Sequence, residues 1–142
     1  DPAPFTYSGM LVPDYPNFFL PAGPYSHLTA NHAIVSEQQV HYIIELLQTL
    51  VDENASAFEV TQEACNAFVE DCDKALAKST WVNSGTAHGY YRHQSGKVIM
   101  AIPRHNSQVW HEMRSPDLAD FHLTKRAGAK ENAPREKTPL AV

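Results

Sequence analysis

The sequence predicts an α/β fold with two main helices, short strands or a hairpin, and a disordered tail. Three observations predict it. A short apolar run, Phe18-Phe19-Leu20, meets a Gly23-Pro24 break and then a long stretch whose apolar residues recur every three or four positions. A second stripe of that period, Cys65, Phe68, Val69, Cys72 and Leu76, follows Thr61. After Trp81, glycines at 85, 89 and 96 interrupt the chain, and from Lys125 the apolar pattern is lost.

In chain order, Pro2, Pro4, Pro13 and Pro16 forbid a helix over residues 1–16, which should be extended. Phe18-Phe19-Leu20 reads as a short buried strand limited by Pro21. The first helix should start near Thr29 and end near Val51. Its apolar set, Ala33, Ile34, Val40, Ile43, Ile44, Leu47, Leu50 and Val51, should form one buried face. Phe58-Glu59-Val60 reads as a short extended piece. Thr61 is a suitable N-cap for the second helix, with Glu63 near the positive end of its dipole, and this helix should run to about Lys78. Tyr90-Tyr91-Arg92 and Lys97-Val98-Ile99-Met100 flank Ser95-Gly96 and predict a hairpin. Asn106 is a candidate cap for a short helix carrying Val109, Trp110 and Met113. Residues 125–142 hold five Lys/Arg against two Glu, so the tail is basic and the rest of the chain carries about −8; a disordered, solvated terminus is expected.

The bulk numbers exclude several classes. The chain has 142 residues, 43% hydrophobic and 19% charged, enough for one domain with a modest core. A net charge of −5 carries no footprint of nucleic-acid binding. No apolar run approaches the ~20 residues of a membrane helix, and the first residues have no signal-peptide pattern. The first residue is Asp1 rather than Met, so a processed or trimmed product, or a piece of something longer, is expected. Cys65 and Cys72 lie seven residues apart on one predicted helix, about 10.5 Å at the helical rise. That is too far for a disulfide, so two buried thiols and a reducing, cytoplasmic setting are expected.

Chemistry-bearing patterns are few. The order strand, tight turn, helix N-terminus is how α/β proteins aim backbone N–H groups and a helix dipole at a ligand. The Gly23-Pro24 turn fits it, as does a plain connection. Eight histidines are scattered without a ligand spacing, and no metal site is expected. Tyr90, Tyr91 and Arg92 read either as a pocket wall or as one strand with alternating faces. There is no Gly-x-Ser-x-Gly elbow, no Gly-x-Gly-x-x-Gly and no P-loop, so no catalytic residue is assigned.

An ordered set of short motifs adds to this. Tyr7-x-Gly9-Met10, Pro13-x-Tyr15-Pro16-Asn17-Phe18-Phe19 and Gly23-Pro24 precede the long helix. Tyr90-Tyr91-Arg92, Gly96-Lys97-Val98, Pro103, Trp110, Arg114-Ser115-Pro116-Asp117 and Asp120-Phe121 follow it. Over roughly residues 5–123 this order resembles the C-terminal third of type I Baeyer–Villiger monooxygenases, flavin-containing enzymes, with the 4-hydroxyacetophenone monooxygenase subgroup nearest.

The resemblance implies the C-terminal fragment of a flavoprotein with two dinucleotide-binding domains. Residues 1–60 would end the FAD-binding domain, 61–124 would form a helix and hairpin extension, and 125–142 the tail. It implies FAD and NADPH in the complete enzyme and oxygen insertion next to the carbonyl of a small ketone, or oxidation of a heteroatom. It places Gly23, Pro24, Tyr25, Ser26, Leu28 and Thr29 against the flavin and Tyr90 on the nicotinamide and substrate side. The family's Gly-rich motifs, its His-containing fingerprint and its active-site Arg are absent here. The chain alone is therefore expected to bind neither cofactor and to need the N-terminal portion or subunit of the same enzyme. Many relatives have Asn or Gln where Tyr25 stands. The alternative is a small, non-catalytic helical module for protein interaction, with neither nucleic acid nor membrane as partner.

Overall fold

The computed structural model describes residues 2–26, 31–83 and 89–127. Helix α1 spans His32–Asp52, strand β1 Ala55–Val60, helix α2 Gln62–Leu76, helix α3 Thr80–Asn83, helix α4 Asn106–Glu112 and strand β2 Phe121–Lys125, which follows a 3-10 turn at Leu118–Asp120. The mixed helix and strand content is the expected one. Strands β1 and β2 form one antiparallel pair, from Val60 opposite Phe121 to Ala55 opposite Lys125, with a bulge between Ala55 and Ala57. Backbone bonds extend the pair at both ends: Thr61 N–H donates to the Asp120 carbonyl (2.8 Å) and Arg126 N–H to that of Asn54 (3.0 Å).

The second helix follows its expected signals. Thr61 Oγ accepts from Ala64 N–H at 3.1 Å, Glu63 lies in the first turn and Lys74 in the last. Cys65, Phe68, Cys72 and Leu76 are buried, and the two thiols are free. The hairpin condenses to one bridge, Arg92 with Val98, closed by Gly96 N–H on the His93 carbonyl. In the short helix α4, Asn106 is the first helical residue and His105 the cap, without a side-chain bond, while Val109 and Met113 are buried.

Three further expectations are corrected, and one strand forms that the sequence did not predict. Residues 2–16 are folded into turns rather than extended: Ser8 and Gly9 both have positive φ, +51° and +74°, and Met10 N–H donates back to the Tyr7 carbonyl. Phe18-Phe19-Leu20 is no strand, only a bridge of Leu11 with Phe19, and Phe18 and Leu20 are exposed. Residues 121–125 form β2, whose partner lies some sixty residues upstream. The last correction concerns α1. It starts at His32, with Asn31 as its cap, and its buried residues are Val35, Gln38, Gln39, Tyr42 and Leu46. Of the apolar set expected inside, Ile34, Val40, Ile44, Leu47 and Val51 face outward, with only Ile43 and Leu50 packed partly against the core. Side-chain bonds and bulk decide the orientation: Gln39 is anchored to two backbone groups and Tyr42 fills the centre.

The core gathers Met10 and Leu11 from the N-terminal turns, Tyr42 and Leu46 from α1, Phe58 from β1, Phe68 and Leu76 from α2, Val98 and Ile102 from the hairpin region, and Phe121 from β2. Aromatic rings link it: Tyr7 lies 5.5 Å from Phe68, and Phe58 lies 6.1 Å from Phe121, edge to face. Lys125 and Arg126, at the head of the expected tail, bind the turn after α1, Lys125 to Glu53 and Arg126 to Asn54 and Ala55. Residues 128–142 lie outside the described residues.

Candidate functional site

Pro21-Ala22-Gly23-Pro24-Tyr25-Ser26 forms a tight double bend. Ala22 and Tyr25 both take positive φ, +60° and +61°. An aromatic residue in this region is costly unless contacts on every side hold it. Here they do. Tyr25 N–H donates to the Ile99 carbonyl at 2.6 Å, its hydroxyl donates to Asp73 of α2 at 2.9 Å, and its ring has no exposed surface. Lys97 bridges to Asp73 at 2.8 Å and stands 5.7 Å over the Tyr25 ring. Burial, then the Asp73 contact, push the Tyr25 phenol well above its ordinary range, so it stays a neutral donor.

The bend is also clamped from the N-terminal side. Gly23 N–H donates to the carbonyls of Gly9 (2.9 Å) and Leu20 (3.1 Å), and Thr6 Oγ donates to the Pro24 carbonyl (2.5 Å). Gln39 of α1 accepts from Ala22 N–H (3.0 Å) and donates to the Gly9 carbonyl (3.2 Å). Ser26 is buried and its hydroxyl donates to the Gly23 carbonyl at 2.6 Å. Both glycines are tightly confined: a Cβ on Gly23 would lie 3.0 Å from the Leu20 carbonyl, and one on Gly9 2.6 Å from Ser26 Cβ.

The structure thus brings Gly23, Pro24, Tyr25 and Ser26 together as one rigid bend, while Leu28 and Thr29 lie outside the described residues. The donors of Gly23 and Tyr25 serve the chain's own carbonyls. At the start of α1, Asn31 Oδ1 accepts from Ala33 N–H, and the Asn31 carbonyl accepts from Ile34 and Val35.

Tyr90 is 77% exposed, its ring 5.4 Å from Tyr91, which lies 4.5 Å from Trp81. Arg92 holds the Trp81 and Val82 carbonyls at 2.7 and 2.8 Å and that of Gly96 at 2.9 Å, so its guanidinium braces this aromatic corner. The sequence reading missed Gln39 and Thr6, whose roles depend on partners far along the chain. Among the described residues no cluster of His, Cys, Asp or Glu could hold a metal ion, and no helix is long and apolar enough to cross a membrane.

No protein-family profile matches the chain. It is 21% identical over 135 residues to an uncharacterised monooxygenase of Sinorhizobium fredii, a match that takes in 92% of this chain and 20% of that protein. It is 33% identical over 72 residues to the cyclohexanone 1,2-monooxygenase of an Acinetobacter species and 35% identical over 72 residues to a Baeyer–Villiger monooxygenase of Pseudooceanicola batsensis, each match covering 49% of this chain and 12% of the relative. Among solved structures, an oxidised steroid monooxygenase bound to NADP superposes with a TM-score of 0.73 at 24% identity, over 87% of this chain and 24% of that one. Cyclohexanone monooxygenase of Rhodococcus sp. Phi1 bound to NADP+ gives 0.73 at 17% identity, over 87% of this chain and 24% of its own. The chain spans about 12–20% of the length of these curated relatives. In sequence and in fold, this chain matches one segment of the Baeyer–Villiger monooxygenases.

Proposed function

We propose that the chain is the C-terminal segment of an FAD- and NADPH-dependent monooxygenase that inserts oxygen next to a ketone carbonyl and works only with the enzyme's N-terminal portion. One observation carries this reading: a 33–35% identical stretch shared with two such monooxygenases coincides with a fold superposition over 87% of the chain. In the complete enzyme the cofactors would supply the redox chemistry, and this segment would supply shape and orientation. The bend at Gly23, Pro24, Tyr25 and Ser26, with Leu28 and Thr29, would face the flavin. Tyr25 would act as its anchor rather than as a contact, because its ring is buried. Tyr90, exposed on the aromatic corner, would face the nicotinamide and a small ketone. Two buried, unpaired thiols suit a cytoplasmic setting.

The test is co-production with a complementary N-terminal portion. A yellow complex that oxidises NADPH, against a colourless chain alone, is the expected result. A colourless and inactive pair would overturn the reading.

A further inference from the structure

A short run of bonds leads from the bend at residues 21–26 to the aromatic corner. Tyr25 N–H donates to the Ile99 carbonyl at 2.6 Å, and Ile99 N–H donates to the Tyr91 carbonyl at 3.0 Å. Beside them Val98 bridges to Arg92, and Val98 and Ile99 are buried. Two backbone bonds thus connect the bend with the chain neighbour of Tyr90. They fix the spacing of the two ends only while the arm that carries Ile99 stays seated. Asp73 of α2 supplies the seat with both of its oxygens. Oδ1 accepts from the Tyr25 hydroxyl at 2.9 Å, and Oδ2 takes the Lys97 ammonium at 2.8 Å. Lys97 also stands 5.7 Å over the Tyr25 ring, within reach of a cation–π attraction. One carboxylate therefore holds the bend with one oxygen and the arm with the other. The Asp73 and Lys97 side chains are each 37% exposed, so removing either charge leaves no buried ion behind.

We propose that Asp73 and Lys97 are positioning residues that seat the arm of residues 97–99 on Tyr25, so that the bend and the aromatic corner keep one fixed spacing. The inference rests on the proposed function for what each end faces, the flavin at the bend and the nicotinamide at Tyr90. A hydride, with both its electrons, passes from nicotinamide to flavin in such a pair. Its transfer depends on the separation of the two rings, and a displacement of about 1 Å can cost on the order of 100-fold in rate. Neither residue needs to touch a cofactor. Each acts through Tyr25 and Ile99, and a loosened arm lets the two ends drift apart while each end keeps its own shape.

The first measurement is amide exchange on the full 142-residue chain. Lys97→Met and Asp73→Asn should each speed exchange at the Tyr25 and Ile99 amides on the order of 10-fold. Lys74→Met, which removes the neighbouring ion pair with Glu70 on α2, should leave both amides as in the wild type. The second is flavin reduction by NADPH, followed by stopped-flow absorbance, in the complex of this chain with a complementary N-terminal portion. Lys97→Met should slow reduction on the order of 10-fold, with the FAD content and melting temperature of the complex unchanged. Lys97→Arg, which keeps the cation over the ring, should reduce near the wild-type rate. Wild-type exchange in Lys97→Met overturns the inference, as does a loss in Lys97→Arg as deep as in Lys97→Met. An active wild-type complex whose Lys97→Met variant is reduced at the wild-type rate overturns the positioning role and leaves the functional reading standing. A colourless, inactive wild-type pair overturns the functional reading, and the positioning role falls with it.

Discussion

Gly9 has no room for a side chain and a backbone that few other residues tolerate. Its φ is +74°, and a Cβ there would lie 2.6 Å from Ser26 Cβ and 2.9 Å from Ser26 Cα, neither of which is a flexible side-chain end. Gly9→Ala should therefore cost about 2–4 kcal/mol of unfolding free energy, strain and collision together, read from urea melts. Gln39→Leu removes the acceptor of Ala22 N–H and one of the two donors to the Gly9 carbonyl. A cost of about 1–3 kcal/mol is expected for leaving buried groups unpaired, by the same measurement. The thiols give a pH dependence. Burial pushes Cys65 up to about 11 and Cys72 up to about 12, above an ordinary 9.0. Folded pKa values above the unfolded ones mean that this stabilisation is whole below pH 9 and is lost as pH rises from there toward 12. Tyr7, Tyr25 and Tyr42 are raised by burial and act in the same direction. Melting temperature should fall as pH rises above about 9, and iodoacetamide should modify neither cysteine at pH 8 until the chain is unfolded.

At the scale of elements, local signals and distant partners divide the account. Helix α2 was legible because everything that defines it lies within sixteen residues: a Thr cap, an early Glu and a regular apolar stripe. Thr61→Ala should cost about 1 kcal/mol through the lost cap, measured by urea melts, with no change in the oligomeric state. The outward turn of α1 was not legible, since periodicity reports that two apolar strips exist and not which one this chain fills. Gln39 settles the choice through bonds to Gly9 and Ala22, and no pattern within the helix announces them. Strand β2 was missed for a similar reason: five residues with two apolar ones carry little signal until β1 is placed beside them. The bend at Gly23-Pro24 was visible as a break. Its rigidity was not, because Thr6, Asp73 and Ile99 hold it from three separate parts of the sequence. Arg104 shows the same long reach. It joins Asp71 of α2 at 2.7 Å and Glu112 of α4 and lies 5.0 Å over the Phe68 ring. Arg104→Ala should loosen α4 first, visible as faster amide exchange over residues 106–112 than over α2.

For the molecule as a whole, the decisive quantity is how much apolar surface stays exposed. The core joins all the longer elements, so the chain should keep its helices on its own. The outer face of α1 still leaves four half-exposed aliphatic side chains in a row, Val40, Ile44, Leu47 and Val51, an arrangement that binds apolar dyes and favours association. The chain alone should brighten anilinonaphthalene sulfonate, and Ile44→Glu with Leu47→Glu should remove most of that signal. Ligand linkage makes the complementary case quantitative. A partner that binds only the folded chain, present at 100 times its dissociation constant, adds about 2.7 kcal/mol of stability. For a chain of this size that corresponds to a rise in melting temperature of roughly 6–10 °C. The same addition to the double variant should raise its melting temperature by only about 1–1.5 °C, because an affinity on the order of 100-fold weaker puts the partner near its dissociation constant, where linkage contributes only about 0.4 kcal/mol. A rise of equal size in both chains would mean that the partner grips some other face, and α1 would then be an ordinary surface helix with an unusual outer strip.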